Sequence, residues 1–393
     1  MFDLQQIRLQ TPGCTNVNHL NNAGASLMPK VVSEAMMRHL DLESRIGGYE
    51  AADLQAASIG EFYPAVAALI GAQPHQIAFA SSATNAFARA LSSVPFRPGD
   101  SVLIASEDYI SNQLALLSMC RRLGIRLLRA PMTADGGVDL DAFREMAKRH
   151  QPRLVSLTHV PTNSGLVQPA EEVGRICREI DAVYLLDACQ SAGQLPLDVR
   201  GLRCDFLSAT FRKFLRGPRG AGFLFASDRV LQEDFTPLFI DMRAADWTDD
   251  DVFRIQPTAK RFEDWEMPYA LVEGGKEAAR YATALDSSGI QKVLHRLTET
   301  LQASLQDIGL QTFDPTGRRC AIVTTTLPGK SPEATLHRLR DQGINASISY
   351  RSYALPDMKR KNLDWVLRLS PHYYNTEEEI RTAADCLREW MKD

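Results

Sequence analysis

Between residues 76 and 226 short aliphatic or β-branched runs alternate with amphipathic stretches, and this alternation restricts the possible folds more than any other feature of the chain. The runs are Ile77–Ala80, Ser101–Ala105, Ile125–Arg129, Leu154–Leu157, Ala182–Leu186, Asp205–Ser208 and Gly222–Ala226. Between them, at about 84–93, 112–122, 139–149 and 170–180, apolar residues recur at three- and four-residue intervals, as in a helix that covers a sheet. Near-continuous apolar strands joined by helices belong to a parallel sheet buried on both faces. This part of the chain therefore reads as α/β with a mostly parallel seven-stranded sheet.

Beyond Pro268 the pattern changes to long amphipathic helices, at about 269–284 and 288–307, then to strands such as Cys320–Thr326 and a closing helix over Thr376–Lys392. That is the texture of a smaller α+β domain. Thr376 and Glu379 have the spacing of a capping box at the start of the last helix. We expect a large α/β domain over 16–262 and a small α+β domain built from 263–393 together with residues 1–15 as an N-terminal arm.

Several functions are disfavoured by composition. Lys+Arg 44 against Asp+Glu 48 gives a net charge of -4, so no overall positive field draws nucleic acid or an anionic membrane. The chain has no long apolar run and its start lacks a secretion pattern, which makes the cytoplasm the expected location. Its seven cysteines form no CxxC pair, and neither they nor the eight histidines fall at metal-ligand spacing, so no metal site is expected.

The chemistry centres on SATFRKFLRGPRGAGFLFA, residues 208–226, where Lys213 lies between an apolar strand and a glycine-rich turn. A lysine that attacks a carbonyl must be available in its neutral form, and the cations Arg212, Arg216 and Arg219 would favour that form if buried beside it. The same residues also suit a basic surface loop. Upstream, AVYLLDACQ puts Asp187 at the carboxyl end of a strand, where open α/β sheets hold their ligands. A lysine amine and a carboxylate on neighbouring strand ends are what pyridoxal 5'-phosphate requires, because the acid keeps the ring nitrogen protonated. Gln190 is placed to bond the phenolic oxygen, although Asp187 by itself also suits a helix cap.

A phosphate cradle is expected where a strand turns into a helix, at Ser82, Ala83 and Thr84 in FASSATNAFARA, with Thr210 adding a hydroxyl. Tyr109 in SEDYISN has the character of a residue that lies on the cofactor ring. Near the end, Arg368 interrupts the apolar run WVLRLS and needs a partner there, either a substrate carboxylate or a structural acid. His372 and the tyrosines beside it read as packing. The acidic stretch ADWTDDD, 245–251, suits a solvated turn or a lid.

With these residues in place the chain resembles the class V aminotransferase family of pyridoxal phosphate enzymes, which includes cysteine desulfurases, isopenicillin N epimerases and sulfoxide lyases. The resemblance runs from HLNNAGASLMP (19–29) through DACQ and RKFLRGPRG to RLSPHYYNTEEEI. It implies a fold type I homodimer in which Lys213 bonds the cofactor, Asp187 faces the ring nitrogen, Gln190 and Asn163 lie near the phenolic oxygen, Tyr109 stacks, and Arg368 takes the substrate carboxylate. Ala23, Gly24 and Tyr49 would border the substrate.

The chain departs from the desulfurase pattern in SISYRSYALPDM, where Tyr353 stands at the place of the mobile cysteine, and in RFEDWEMPY, where Trp265 and Glu266 replace a glycine-threonine pair. RIGGYEAAD (45–53) and the arginine before Lys213 look most like hercynylcysteine sulfoxide lyases. The resemblance therefore implies a carbon-sulfur lyase that performs β-elimination on a cysteine-derived sulfoxide or thioether to give pyruvate and ammonia, with Lys213 moving the α-proton and Tyr109 or Tyr49 protonating the sulfur. Transamination or epimerisation of another amino acid, desulfuration, and a non-catalytic protein that keeps the fold are the alternatives.

Overall fold

The computed structural model describes residues 3–233, 235–313 and 319–392. Its large sheet contains β1 (Ile77–Ala80), β2 (Ser101–Ile104), β3 (Arg126–Arg129), β4 (Leu154–Thr158), β5 (Val183–Asp187), β6 (Phe206–Thr210) and β7 (Gly222–Ala226). Their order is β1-β7-β6-β5-β4-β2-β3, and every pairing is parallel except the two made by β7. All seven expected runs are strands, displaced by at most two residues at either end.

The period of two in these strands feeds two cores. On β5, Tyr184 and Leu186 join one cluster while Val183 and Leu185 join the other, and on β7 Phe223 and Phe225 oppose Leu224 and Ala226. Helices α1 (Lys30–Ile46), α2 (Phe62–Ile70), α5 (Leu140–His150) and α6 (Ala170–Glu179) close the first face, whereas α3 (Ala83–Ser93) and α4 (Ile110–Leu123) close the second. The next helix, α7 (Tyr269–Ala284), buries Val272, Ala278 and Ala279 in the first core, so it packs on the large sheet although it follows the boundary drawn at residue 262. The acidic stretch 245–251 forms a strand and the turn that follows it: β8 (Ala245–Asp249) pairs antiparallel with β9 (Val252–Ile255) in an exposed hairpin that carries Trp247 at 80% exposure.

A third core joins α8 (Ser287–Asp307), α9 (Pro332–Asp341) and α11 (Glu377–Lys392) to β10 (Val323–Thr325), β11 (Ser347–Tyr350) and β12 (Trp365–Leu369), through Leu297, Leu301, Val323, Leu339, Leu367, Ile380 and Leu387. These strands form an antiparallel sheet in the order β10-β12-β11. Leu20 lies in the same core, and Asn18–His19 pairs in parallel with Ile344–Asn345, so the N-terminal arm stays with this layer past residue 15. The capping box of α11 forms as expected: the Glu379 amide donates to Thr376 Oγ1 at 3.1 Å and the Thr376 amide to Glu379 Oε2 at 3.0 Å. No helix among the described residues is long and apolar enough to cross a membrane.

The site follows from the strand order. After β2 the chain turns into α4 on one face, and after β4 it continues to α6 on the other, so the two loops part where neighbouring strands end and open a crevice at their carboxyl ends. Register places Thr158, Asp187 and Ser208 side by side along that edge.

Candidate active site

Lys213 lies in the turn after β6, 5% exposed, and its Nζ makes no hydrogen bond or ion pair among the described residues. Nζ stands over the Tyr109 ring, 5.8 Å from its centroid. Two devices fix this turn. Gly193, at φ 93°, lets the backbone of Phe214 approach so closely that a Cβ there would stand 2.4 Å from the Phe214 carbonyl carbon. Arg216, itself at φ 59°, donates its amide to the Lys213 carbonyl at 2.9 Å.

Burial is the main cause that lowers the Lys213 amine below the ordinary lysine value, and Arg212 and Arg368 push the same way against Cys189 and Asp187. The expectation that Arg216 and Arg219 contribute needs correction. The Arg216 guanidinium turns away into a cage of Tyr281, Tyr373 and Tyr374, with 4.7 Å to the closest ring centroid, and donates to Leu27 O at 3.0 Å and Tyr373 Oη at 3.1 Å. Arg219 is exposed.

Asp187 closes β5 and is 4% exposed. Its Oδ1 accepts the Cys189 amide at 2.9 Å and its Oδ2 accepts from Asn112 Nδ2 at 2.8 Å, so the carboxylate is held at both oxygens. Gln190 donates Nε2 to the Ala23 carbonyl at 3.0 Å, which leaves its buried Oε1 without a partner. Asn163 is buried on the loop after β4 and accepts from the hydroxyl of Ser349 on β11. Cys189 carries a thiol whose pKa burial raises, with Asp187 adding to the effect.

At the expected cradle, Ser82 is spent as the N-cap of α3, its Oγ accepting the Asn85 amide at 3.1 Å, and Thr84 is exposed. The first-turn amides at Ala83 and Thr84 are the donors this helix offers. Gly222 keeps β7 against them: a Cβ there would lie 3.0 Å from Ala83 N and 2.6 Å from Ala209 O. Thr210 donates its hydroxyl to the Ala221 carbonyl at 3.3 Å, leaving the oxygen's lone pairs and not its proton on offer.

Arg368 stands on β12, the middle strand of the small sheet, and is 5% exposed. Its Nη1 donates to Thr162 O at 3.1 Å and Nη2 to Asn21 Oδ1 at 3.4 Å, while Nε has no partner. No carboxylate pairs with it among the described residues, which removes the structural acid as its explanation. Burial first, then Arg212, push it down to about 10. Ala23 N–H bonds Ser370 Oγ at 2.9 Å and the Gly24 carbonyl accepts from Arg212, so both line the seam beside this arginine. Tyr49 does not join the group. It is 73% exposed and borders an open cleft of about 340 Å³ with Trp265, Glu266 and Tyr269. His372 is packing, stacked on Tyr374 at 5.1 Å and bonded to the Phe214 carbonyl.

Sequence reasoning missed Asp108, Asn112 and His159. Asn112 lies four residues after Asp108 at the start of α4 and bonds both Asp108 and Asp187. The buried His159 follows β4, where its backbone accepts the Gln168 amide and donates to the Asp187 carbonyl. The signal was the i, i+4 spacing of Asp108 and Asn112 beside Tyr109, which had been read only for its ring.

An unpaired buried lysine, a fixed carboxylate, an orphaned glutamine oxygen and a helix amino end together match the donors and acceptors of pyridoxal phosphate. Because Arg212 helps to lower the Lys213 amine, Arg212→Met should raise its pKa. Acetylation of Lys213 in the cofactor-free protein, read by peptide mass against pH, should then reach its half-maximal rate at higher pH than in the parent.

The family description aminotransferase class-V matches residues 18–382. A probable cysteine desulfurase of Methanothermobacter thermautotrophicus is 28% identical over 98% of this chain and 97% of its own. A probable hercynylcysteine sulfoxide lyase of Mycobacterium tuberculosis is 27% identical over 94% of this chain and 89% of its own. The apo structure of a cysteine desulfurase from Thermococcus onnurineus NA1 superposes with a TM-score of 0.91 at 26% identity, covering 100% of this chain and 99% of the other. The end-to-end match and the lysine-centred site agree, and the chain belongs to the aminotransferase class-V family of pyridoxal phosphate-dependent enzymes.

Proposed function

We propose that this class-V enzyme is a carbon-sulfur lyase that eliminates the sulfur group from a cysteine-derived sulfoxide or thioether. The observation that carries this reading is the lack of a usable thiol. The segment between β11 and α10 (Leu355–Lys361) holds Tyr353 and no cysteine, and Cys189, the cysteine beside Lys213, has its thiol pushed up by burial and by Asp187. A persulfide-forming route needs a thiolate. The many desulfurase relatives favour desulfuration as the second reading, and the sulfoxide lyase relative supports the first.

Bound pyridoxal phosphate supplies the electron sink that acidifies the α-carbon of an amino acid and lets a β-substituent leave. Lys213 would anchor it, and its Nζ would be the base that takes the α-proton of a bound amino acid. Desolvation suits it to that exchange, because a base works best with a pKa near ambient pH. Asp187, clamped at both oxygens, would present a carboxylate to the ring nitrogen, Gln190 and Asn163 would lie near the phenolic oxygen, and the first-turn amides of α3 with the Ser82 hydroxyl proton would take the phosphate, which Thr210 could join only by releasing its own proton from the Ala221 carbonyl. Arg368 binds the substrate carboxylate through the donors the fold leaves open. Tyr109, over Lys213, donates a proton to the departing sulfur. The carbon-sulfur bond breaks with its electrons on sulfur, and the three-carbon remainder takes up water to become pyruvate and ammonia.

The reading includes a homodimer. Leu238, Phe239, Met242, Trp247 and Phe253 are between 53% and 80% exposed within one short stretch, more apolar surface than a solvated loop carries.

The cofactor-loaded protein should release pyruvate and ammonia from cysteine-derived sulfoxides or thioethers. Alanine as the main product from cysteine would establish desulfuration instead, and neither product would point to transamination or epimerisation. Arg368→Gln should lower kcat/KM about 10- to 100-fold, the loss of roughly 1.5–3 kcal/mol for hydrogen bonds to a charged group, chiefly through KM. Sedimentation at micromolar concentration should give a dimer, and Phe239→Glu with Trp247→Glu should give a monomer; a monomeric parent protein would refute the assembly.

A further inference from the structure

Asp108 and Asp187 are a carboxylate pair behind the cofactor site, and neither has a cationic partner among the described residues. Asn112, 2% exposed, spans them with one side-chain amide: Nδ2 lies 2.8 Å from Asp187 Oδ2 and 3.2 Å from Asp108 Oδ1. An amide nitrogen carries two hydrogens, enough for one to each acid. The rest of Asp108 is equally constrained. Its Oδ1 also accepts the hydroxyl of Thr158 and the Tyr109 amide, at 2.7 Å, and its Oδ2 accepts Gln113 Nε2 at 3.2 Å.

These contacts join three separate elements. Asp108 comes from the loop after β2, Asn112 and Gln113 from the first turn of α4, and Thr158 and Asp187 from the adjacent ends of β4 and β5. Every polar group turned toward Asp108 is a donor suited to an anion. Such an arrangement concentrates negative charge at one end of the crevice, while Arg212, Lys213 and Arg368 make the other end positive. Two buried like charges destabilise each other unless a proton or cation lies between them or nearby. Burial chiefly pushes Asp108 up to about 6, the Asp187 charge adds to this, and the donors from Thr158, Asn112 and Tyr109 pull against it.

We propose that Asp108 and Asn112 are positioning residues that act through Asp187, holding its carboxylate against the ring nitrogen of the cofactor and adding a second negative charge behind it. The inference rests on the reading above that Asp187 faces that nitrogen. Its consequence is specific to one atom of the ligand: the second carboxylate strengthens the hold on a protonated ring nitrogen and does nothing for a ring that has carbon there.

The test compares the affinity of the cofactor-free full-length protein for pyridoxal 5'-phosphate and for its 1-deaza analogue, in which carbon replaces the ring nitrogen. Three variants are measured: Asp187→Asn, Asp108→Asn and Asn112→Ser. The parent protein should prefer the natural ring. Asp187→Asn should abolish most of that preference, and Asp108→Asn and Asn112→Ser should each reduce it about tenfold, one pKa unit's worth of proton affinity, with affinity for the deaza analogue little changed. Equal losses for both ligands in the Asp108 and Asn112 variants would mean a merely structural role and would overturn the proposal. If Asp187→Asn leaves the preference intact, the reading of Asp187 itself fails. If only Asp187→Asn changes it, the relay alone is refuted. Should Asp108→Asn not fold, as judged by circular dichroism, Thr158→Val removes the hydroxyl that holds Asp108 and should lower the preference in the same direction.

Discussion

The central constraint in this protein is the desolvation of one amine. Lys213 is withdrawn from water with no anion in contact, so its charged form loses hydration without gaining a partner. That condition draws on both layers. Arg368, which deepens it, arrives on the small sheet, and the segment around Ala23 and Gly24 closes over Gln190 and Arg212 from the N-terminal arm. The docking of the two layers is thus part of the chemistry. It is held by Arg368 on Thr162, Ser349 on Asn163, and Arg360 on Glu107 and the Ala134 carbonyl, all directed at loops that follow β2 to β4.

Two buried arginines show how differently the same side chain can be answered inside one fold. Arg216 is completely buried, but its guanidinium meets three aromatic faces and the oxygens of Leu27, Thr11 and Tyr373, so its donors and its charge are both answered inside the fold. Arg368 has one good acceptor, one long contact and an idle Nε. A guanidinium left in that state disfavours its own burial unless a carboxylate completes it, and a bidentate acid is the partner its planar fork fits best.

Legibility in the sequence divided along the same lines. Periodicity located the strands and helices of the large sheet because every strand there except the edge strand β3 is buried along its length and its helices bury one face, which leaves a direct trace in the apolar pattern. Lys213, Asp187 and Arg368 were legible because a charge in an apolar run is an anomaly. Tertiary contacts were not. Whether Arg212 or Arg216 touches the lysine depends on a turn with Arg216 in the left-handed region, and nothing local reveals which way each side chain leaves it. Asn112 was invisible because its role is defined by two acids, one four residues before it and the other on a distant strand. That α7 joins the core of the large sheet was not legible, because an amphipathic helix shows that it has a buried face and not which core receives it.

The proposed fate of sulfur rests on where the remaining protons are held. Cys189 is bonded through its backbone to Asp187, and ionising its thiol would put a second anion beside a carboxylate in a buried site. The cations at Lys213 and Arg212 oppose that cost without outweighing it, since the net direction is upward. A thiol that keeps its proton is a poor nucleophile toward substrate sulfur. The segment from Arg351 to Ala354 carries Tyr353, 48% exposed and packed edge-on against Tyr350 at 5.8 Å, and no cysteine. In the proposed elimination, sulfur expelled from the β-carbon would leave with its electrons into solvent or to a second molecule, and the proton it needs would come from a hydroxyl at the site. That reading assigns the proton to Tyr109, whose ring centroid lies 5.8 Å from Lys213 Nζ and whose amide bonds Asp108.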